Sequence, residues 1–109
     1  MADSKEIILF TAINDDDLAE ILISELLEAK LIVSGTIFPD VRVMYLWDGK
    51  LQEDSEFKLL LKTKEEHYAA VEEHIKKKHP YQFPEIIKIN AEFGTASFKQ
   101  FLTDRSKKS

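Results

Sequence analysis

Three histidines are the side chains of this sequence best suited to metal or proton chemistry: His67, His74 and His79. His67 and His74 are seven residues apart, which on a helix puts them on one face but about 10.5 Å apart along the axis. Metal–nitrogen bonds are about 2.0 Å long, so the pair suits one ion poorly and solvated surface positions are expected for both. Soft copper(I) wants thiolate or thioether ligands, yet the chain has no cysteine and only two methionines, Met1 and Met44. The run Asp15-Asp16-Asp17 attracts a hard cation only loosely, and complementing the positive end of a helix is its simpler role. No cofactor is therefore certain. A weakly bound divalent copper or zinc ion is the most that His67, His74 and His79 support.

A second constellation is Trp47, Glu56, Lys62, His79, Tyr81 and Glu85. Lys62 falls at the end of one strand pattern, and His79 to Glu85 lead into another, so these side chains can converge at one edge of a sheet. An imidazole of ordinary pKa about 6.5 beside carboxylates, an ammonium and a phenol can bind an anion or move protons. Purely structural roles compete: Pro80 and Pro84 stiffen a connection, Tyr81 bonds to backbone, and Glu85 pairs with Lys62 between chains. Other enzyme signatures are absent. The three glycines, Gly35, Gly49 and Gly94, stand alone, and there is no Gly-x-Ser-x-Gly elbow. Trp47 suits an interface anchor better than a base-stacking platform.

The elements that must position these groups follow from periodicity. Lys5 to Ala12 (KEIILFTA) is a buried strand. Leu18, Ile21, Leu22, Leu26 and Ala29 recur at helical spacing, which predicts a helix over 15–30. Ile32 to Trp47 is strand-like, interrupted at Phe38-Pro39-Asp40, and Asp48-Gly49 is a two-residue hairpin turn. Leu51 to Lys62 returns with Phe57, Leu59 and Leu61 on one face, and the turn pairs Leu46 with Leu51 and Tyr45 with Gln52. Thr63-Lys64-Glu65-Glu66 has the form of a capping box opening a helix with Tyr68, Val71 and Ile75 inward, ending near Lys78 because of Pro80. Glu85 to Asn90 is a fourth strand, and Ser97 to Leu102 a short last helix with Phe98, Phe101 and Leu102 inward. The order β-α-β-β-α-β is the ferredoxin-like α+β sandwich: an antiparallel sheet, a long β2–β3 hairpin and a short C-terminal helix.

The 109 residues make one domain, 1–109, with 104–109 expected as a flexible basic tail. Carboxylates outnumber Lys and Arg by 20 to 15, giving a net charge of −5, which disfavours nucleic-acid binding. No apolar run approaches the ~20 residues of a membrane span, and MADSKEIILF has no cationic leader, so the cytoplasm is the expected location. A strand from Ile32 to Trp47 would run about 53 Å, whereas a compact globule of this size has a radius of gyration of about 13 Å and a diameter of about 34 Å. The hairpin must project. An isolated ribbon carrying Tyr45, Leu46, Trp47 and Leu51 is unstable in water and exposes pairing edges, so an obligate oligomer is expected.

The strings YLWDGKLQEDSE (Tyr45–Glu56), LLLKT (Leu59–Thr63) and HPYQFPEII (His79–Ile87), with LAEILISELLEAKL and the late GTASFKQFL, resemble the CutA family of divalent-cation tolerance proteins along nearly the whole chain. The resemblance implies a ferredoxin-like subunit in a tight, non-enzymatic homotrimer, related in shape to PII signalling proteins. It further implies long hairpins pairing edge to edge between subunits, and Trp47, Glu56, Lys62, His79, Tyr81 and Glu85 near the clefts between them. Response to divalent metal ions, copper among them, is the implied function. A PII-like sensor of a small anion or nucleotide in the clefts is the alternative. The chain departs from the family at Ser34, where many members carry the cysteine on which copper binding leans. It departs also at Pro39-Asp40 in place of Pro-Gly, at Gln82 in place of an acid, and at Phe98 and Phe101 in place of Tyr and Trp.

Overall fold

The structure, a computed structural model, describes residues 5–81, 84–92, 94 and 96–106. Its elements are β1 (Glu6–Ile13), α1 (Asp16–Glu28), β2 (Ser34–Trp47), β3 (Lys50–Lys64), α2 (Tyr68–Lys78), β4 (Ile87–Asn90) and α3 (Ala96–Ser106), with a 3-10 turn at Glu65–His67 leading into α2. The strands form one antiparallel sheet in the order β2-β3-β1-β4, the βαββαβ sandwich expected from the element order.

Period-two alternation decides which side of the sheet is covered. Ile7, Leu9, Leu59 and Leu61 point to one face and are fully buried there against Ala19, Leu22 and Leu26 of α1 and Val71 and Ile75 of α2. Each large apolar side chain so buried stabilises the fold by about 1.5–3 kcal/mol. The Asp15 carboxylate caps α1 by accepting from the Leu18 N–H at 3.1 Å, as the acidic run implied. Gly35 lets β2 pass beneath α1: a Cβ there would lie 2.7–2.9 Å from three Ile23 atoms.

Thr11 sits in the same core, fully buried, and its hydroxyl has no partner among the described residues. An unsatisfied buried hydroxyl is a net penalty that an isosteric methyl removes. Thr11→Val is therefore expected to raise stability by about 1 kcal/mol in urea unfolding, and a loss instead would show that the hydroxyl is satisfied in solution.

The hairpin leaves the sheet as expected. Leu46 pairs with Leu51 and Tyr45 with Gln52, and Asp48 and Gly49 both take positive φ, 51° and 74°, the signature of a type I′ turn. The register slips once, between Phe38 and Val41. There Pro39 has no N–H to give the ladder, and Asp40 takes φ 49°, which makes the interruption a bulge. The molecule measures 51 × 25 × 21 Å with a radius of gyration of 15.2 Å, above the ~13 Å of a compact chain of this length. Leu46, Trp47 and Leu51 at the tip are 70%, 67% and 65% exposed.

Four local expectations need correction. Thr63 is not a helix cap: β3 stays paired with β1 as far as Glu6–Lys64, and the buried Thr63 hydroxyl donates to the Leu31 carbonyl at 2.6 Å. The helix instead enters through the 3-10 turn at Glu65–His67, which carries no side-chain cap. The last helix runs on to Ser106, so Asp104 and Arg105 belong to it rather than to a tail. Phe101, expected inward, is 43% exposed with the Arg105 guanidinium 4.9 Å above its ring. The side chain of Leu102, Gln82 and the tail residues 107–109 lie outside what is described. Finally, the fourth strand begins at Ile87, not Glu85, where its pairing with β1 starts opposite Phe10.

Candidate functional site

The end of β1 organises the site. Pro80 forces the preceding residue out of helical geometry, and His79 accordingly ends α2 with ψ 135°. That rotation turns its ring inward, where it is only 8% exposed. Nε2 lies 2.5 Å from the Ala12 carbonyl, and the Tyr81 N–H donates to Nδ1 at 3.1 Å. A carbonyl can only accept and an amide N–H only donate, so the ring is neutral with its proton on Nε2. The imidazole stacks obliquely on Tyr81, with ring centroids 4.6 Å apart.

Glu56 and Lys58 of β3 point to the sheet face away from α1 and α2, being even-numbered neighbours of the partly buried Phe57 and the buried Leu59. The Tyr81 hydroxyl donates to Glu56 Oε2 at 2.9 Å, and Lys58 Nζ pairs with Glu85 Oε2 at 2.9 Å. His79 thus turns inward while Tyr81 and Glu85 reach β3 side chains on the opposite face. Burial, then the hydrogen bond to Glu56, then the charges of Glu56 and Asp54 push the Tyr81 phenol up to about 12. The folded value lies above the ordinary ~10. The contribution to stability is thus complete below pH ~10 and is lost as pH rises through about 12. A Glu56→Gln variant is expected to bring the Tyr81 ionisation partway back toward 10 in a spectrophotometric titration. An unmoved titration would mean that burial alone sets it.

Within one chain the structure brings Glu56, His79, Tyr81 and Glu85 together, but not Trp47 or Lys62. Trp47 pairs with Lys50 at the hairpin tip, about 20 Å from Glu56 along β3. Lys62 lies about 20 Å from Glu56 in the other direction, with its ammonium 5.6 Å over the Phe98 ring. Lys58 takes the cationic place assigned to Lys62. Period two already put residue 58 on the face of Glu56, but only the pairing of Lys58 with Ala12 places it beside His79 and Glu85.

The histidines are poor metal ligands here. His67 is buried rather than solvated, since the 3-10 onset of the helix turns it inward. His74 Nε2 lies 2.8 Å from Glu25 Oε1, tying α2 to α1. Both nitrogens of His79 are engaged. Among the described residues no three His, Cys, Asp or Glu side chains come together to hold an ion, so this donor set does not fit a tight metal site within one chain.

No described helix is long and apolar enough to cross a membrane. Residues 7–105 match the family described as CutA1 divalent ion tolerance protein. The divalent-cation tolerance protein CutA of Pectobacterium atrosepticum is 36% identical over 96 residues, covering 88% of this chain and 86% of the relative. That of Pyrococcus horikoshii is 34% identical, covering 94% and 99%. The crystal structure of divalent ion tolerance protein CutA1 from Ehrlichia chaffeensis superposes with a TM-score of 0.89 at 26% identity, covering 97% of this chain and 99% of that one. With the family's sequence pattern spanning the described sheet and helices and relatives above 30% identity along most of its length, the chain belongs to the CutA1 divalent ion tolerance family.

Proposed function

We propose that the protein serves divalent-cation tolerance as a non-enzymatic homotrimer in the cytoplasm, with its functional surface at the boundaries between copies. The observation that carries this is the ribbon: Met44, Leu46, Trp47 and Leu51 lie more than half exposed on a two-stranded arm that its own globule does not cover. Water disfavours such an arm, and a neighbouring copy offers it a sheet edge, β2 and β4 being the open edges of the sheet. The three-fold count follows the family resemblance.

On this reading the Glu56–Tyr81–His79–Glu85–Lys58 cluster fixes the chain segment that a second copy's hairpin meets, and the neighbour's Trp47 approaches it. Divalent ions, copper or zinc, are contacted weakly and by more than one chain, since the imidazoles of a single chain are engaged. Light scattering at micromolar concentration is expected to give about three times the 12.6 kDa of one chain. A well-folded single chain at that concentration would end the proposal. Fractionation of expressing cells tests the compartment.

A further inference from the structure

Lys64 is only 5% exposed. Its ammonium donates to the Thr103 hydroxyl of α3 at 2.9 Å, a neutral partner, and no carboxylate among the described residues lies within 4.0 Å of it. Lys58, Lys76, Lys77, Lys78, Lys88 and Lys99 all have glutamate partners, in a chain with 20 acidic side chains to draw on. Glu6 stands opposite Lys64 in register, yet makes no ion pair with it. Lys62, two residues earlier and on the same face, is partly buried and sends its ammonium over the Phe98 ring of the same helix. Two ammonium groups thus rise side by side from β3, their Cα atoms about 6.6 Å apart, both against α3. More positive charge gathers nearby: Lys30 and Arg105 line a shallow groove with Leu27, Ile32, Val33 and Asp104, and the Val33 N–H donates to the Lys62 carbonyl.

A buried cation without a counter-charge is costly, and adjacent like charges add to the cost. We propose that Lys62, Lys64 and the Thr103 hydroxyl form a binding site for an oxyanion of the phosphate class at the junction of β3 and α3. Lys64 has three N–H donors and, among the described residues, uses one. Thr103 accepts from Lys64, and its own proton has no acceptor among the described residues, so it can be donated to an anion oxygen. A tetrahedral oxyanion offers acceptors to all three groups and neutralises the pair of charges. Because Thr103 and Phe98 both belong to α3, occupancy tightens the docking of that helix on the sheet. The site stands apart from the Glu56–Tyr81 cluster and goes beyond the proposed function, needing no second copy.

The test uses the full chain at constant ionic strength, exchanging sodium chloride for inorganic phosphate. A saturable rise in thermal midpoint with a millimolar dissociation constant is expected, with sulfate acting likewise and phosphate monoesters showing whether an esterified phosphoryl group is accepted. Lys64→Met is expected to raise the midpoint without phosphate, by removing the unpaired charge, and to weaken phosphate binding at least tenfold. Lys77→Met, at an exposed surface lysine of α2, should leave binding unchanged. Should Lys64→Met fold poorly, Lys62→Met and Thr103→Val carry the same expectation of weakened binding in calorimetry. Equal midpoints in phosphate and chloride, or binding that survives in the folded Lys62, Lys64 and Thr103 variants, would overturn the proposal whatever the oligomeric state proves to be.

Discussion

A Leu46→Glu/Leu51→Glu variant is expected to return the mass of one chain, 12.6 kDa, at concentrations where the parent assembles. These two side chains face each other across the hairpin and are 70% and 65% exposed, so neither contributes to the core of Ile7, Leu9, Leu59 and Leu61. The substitutions leave that core alone while replacing apolar interface surface with charge on a ribbon that already carries Asp48, Glu53, Asp54 and Glu56. Losing a well-packed apolar anchor costs an interface about 2 kcal/mol or more, so the pair weakens association by about a thousandfold. The ribbon's own ties do not compensate. Arg42–Glu53, 2.8 Å but exposed, is worth less than about 1 kcal/mol. Circular dichroism should show the chain still folded. A variant that assembles as tightly as the parent would show that the tip is not what holds the copies together.

How much of this was legible in the sequence depends on the range of the interaction that decides each feature. Strand and helix identities, the Asp48-Gly49 turn and the Leu46–Leu51 register come from two-to-four-residue patterns, and the structure repeats them. The onset of α2 does not, because Thr63 has two competing partners. Locally it reads as a cap, but the pairing of Glu6 with Lys64 holds it in β3, where its hydroxyl satisfies the Leu31 carbonyl 32 residues away. The same long-range choice hid Lys58. Sequence spacing makes Lys62, at a strand end, as plausible a partner for Glu85 as Lys58, and only the stagger of β3 on β1 separates them. His67 departs from its expected solvated position for a local reason, since a 3-10 turn rotates the residues before α2 relative to its helical stripe. What the chain can never reveal alone is the setting of Trp47, whose surroundings, on the proposal above, belong to another copy.

His79→Ala is expected to destabilise the chain by about 3 kcal/mol in urea unfolding at fixed protein concentration, although the residue is not a member of the apolar core cluster. The substitution removes a buried ring and leaves two backbone groups, the Ala12 carbonyl and the Tyr81 N–H, without their partners. Buried backbone groups without partners are the expensive part of such a change. Truncating the exposed Lys77, two residues earlier in sequence, should shift stability by less than about 0.5 kcal/mol. The ring also braces Tyr81 at 4.6 Å, and Tyr81 in turn reaches Glu56 at 2.9 Å. Loosening His79 should therefore release the phenol, and its ionisation should fall from about 12 toward the ordinary ~10. His79→Gln supplies an amide that can donate to the Ala12 carbonyl, so it should recover part of the stability and part of the tyrosine shift together. If stability falls but the Tyr81 titration stays at about 12, the imidazole fills space without positioning the phenol, and the cluster at the end of β1 is not a single mechanical unit.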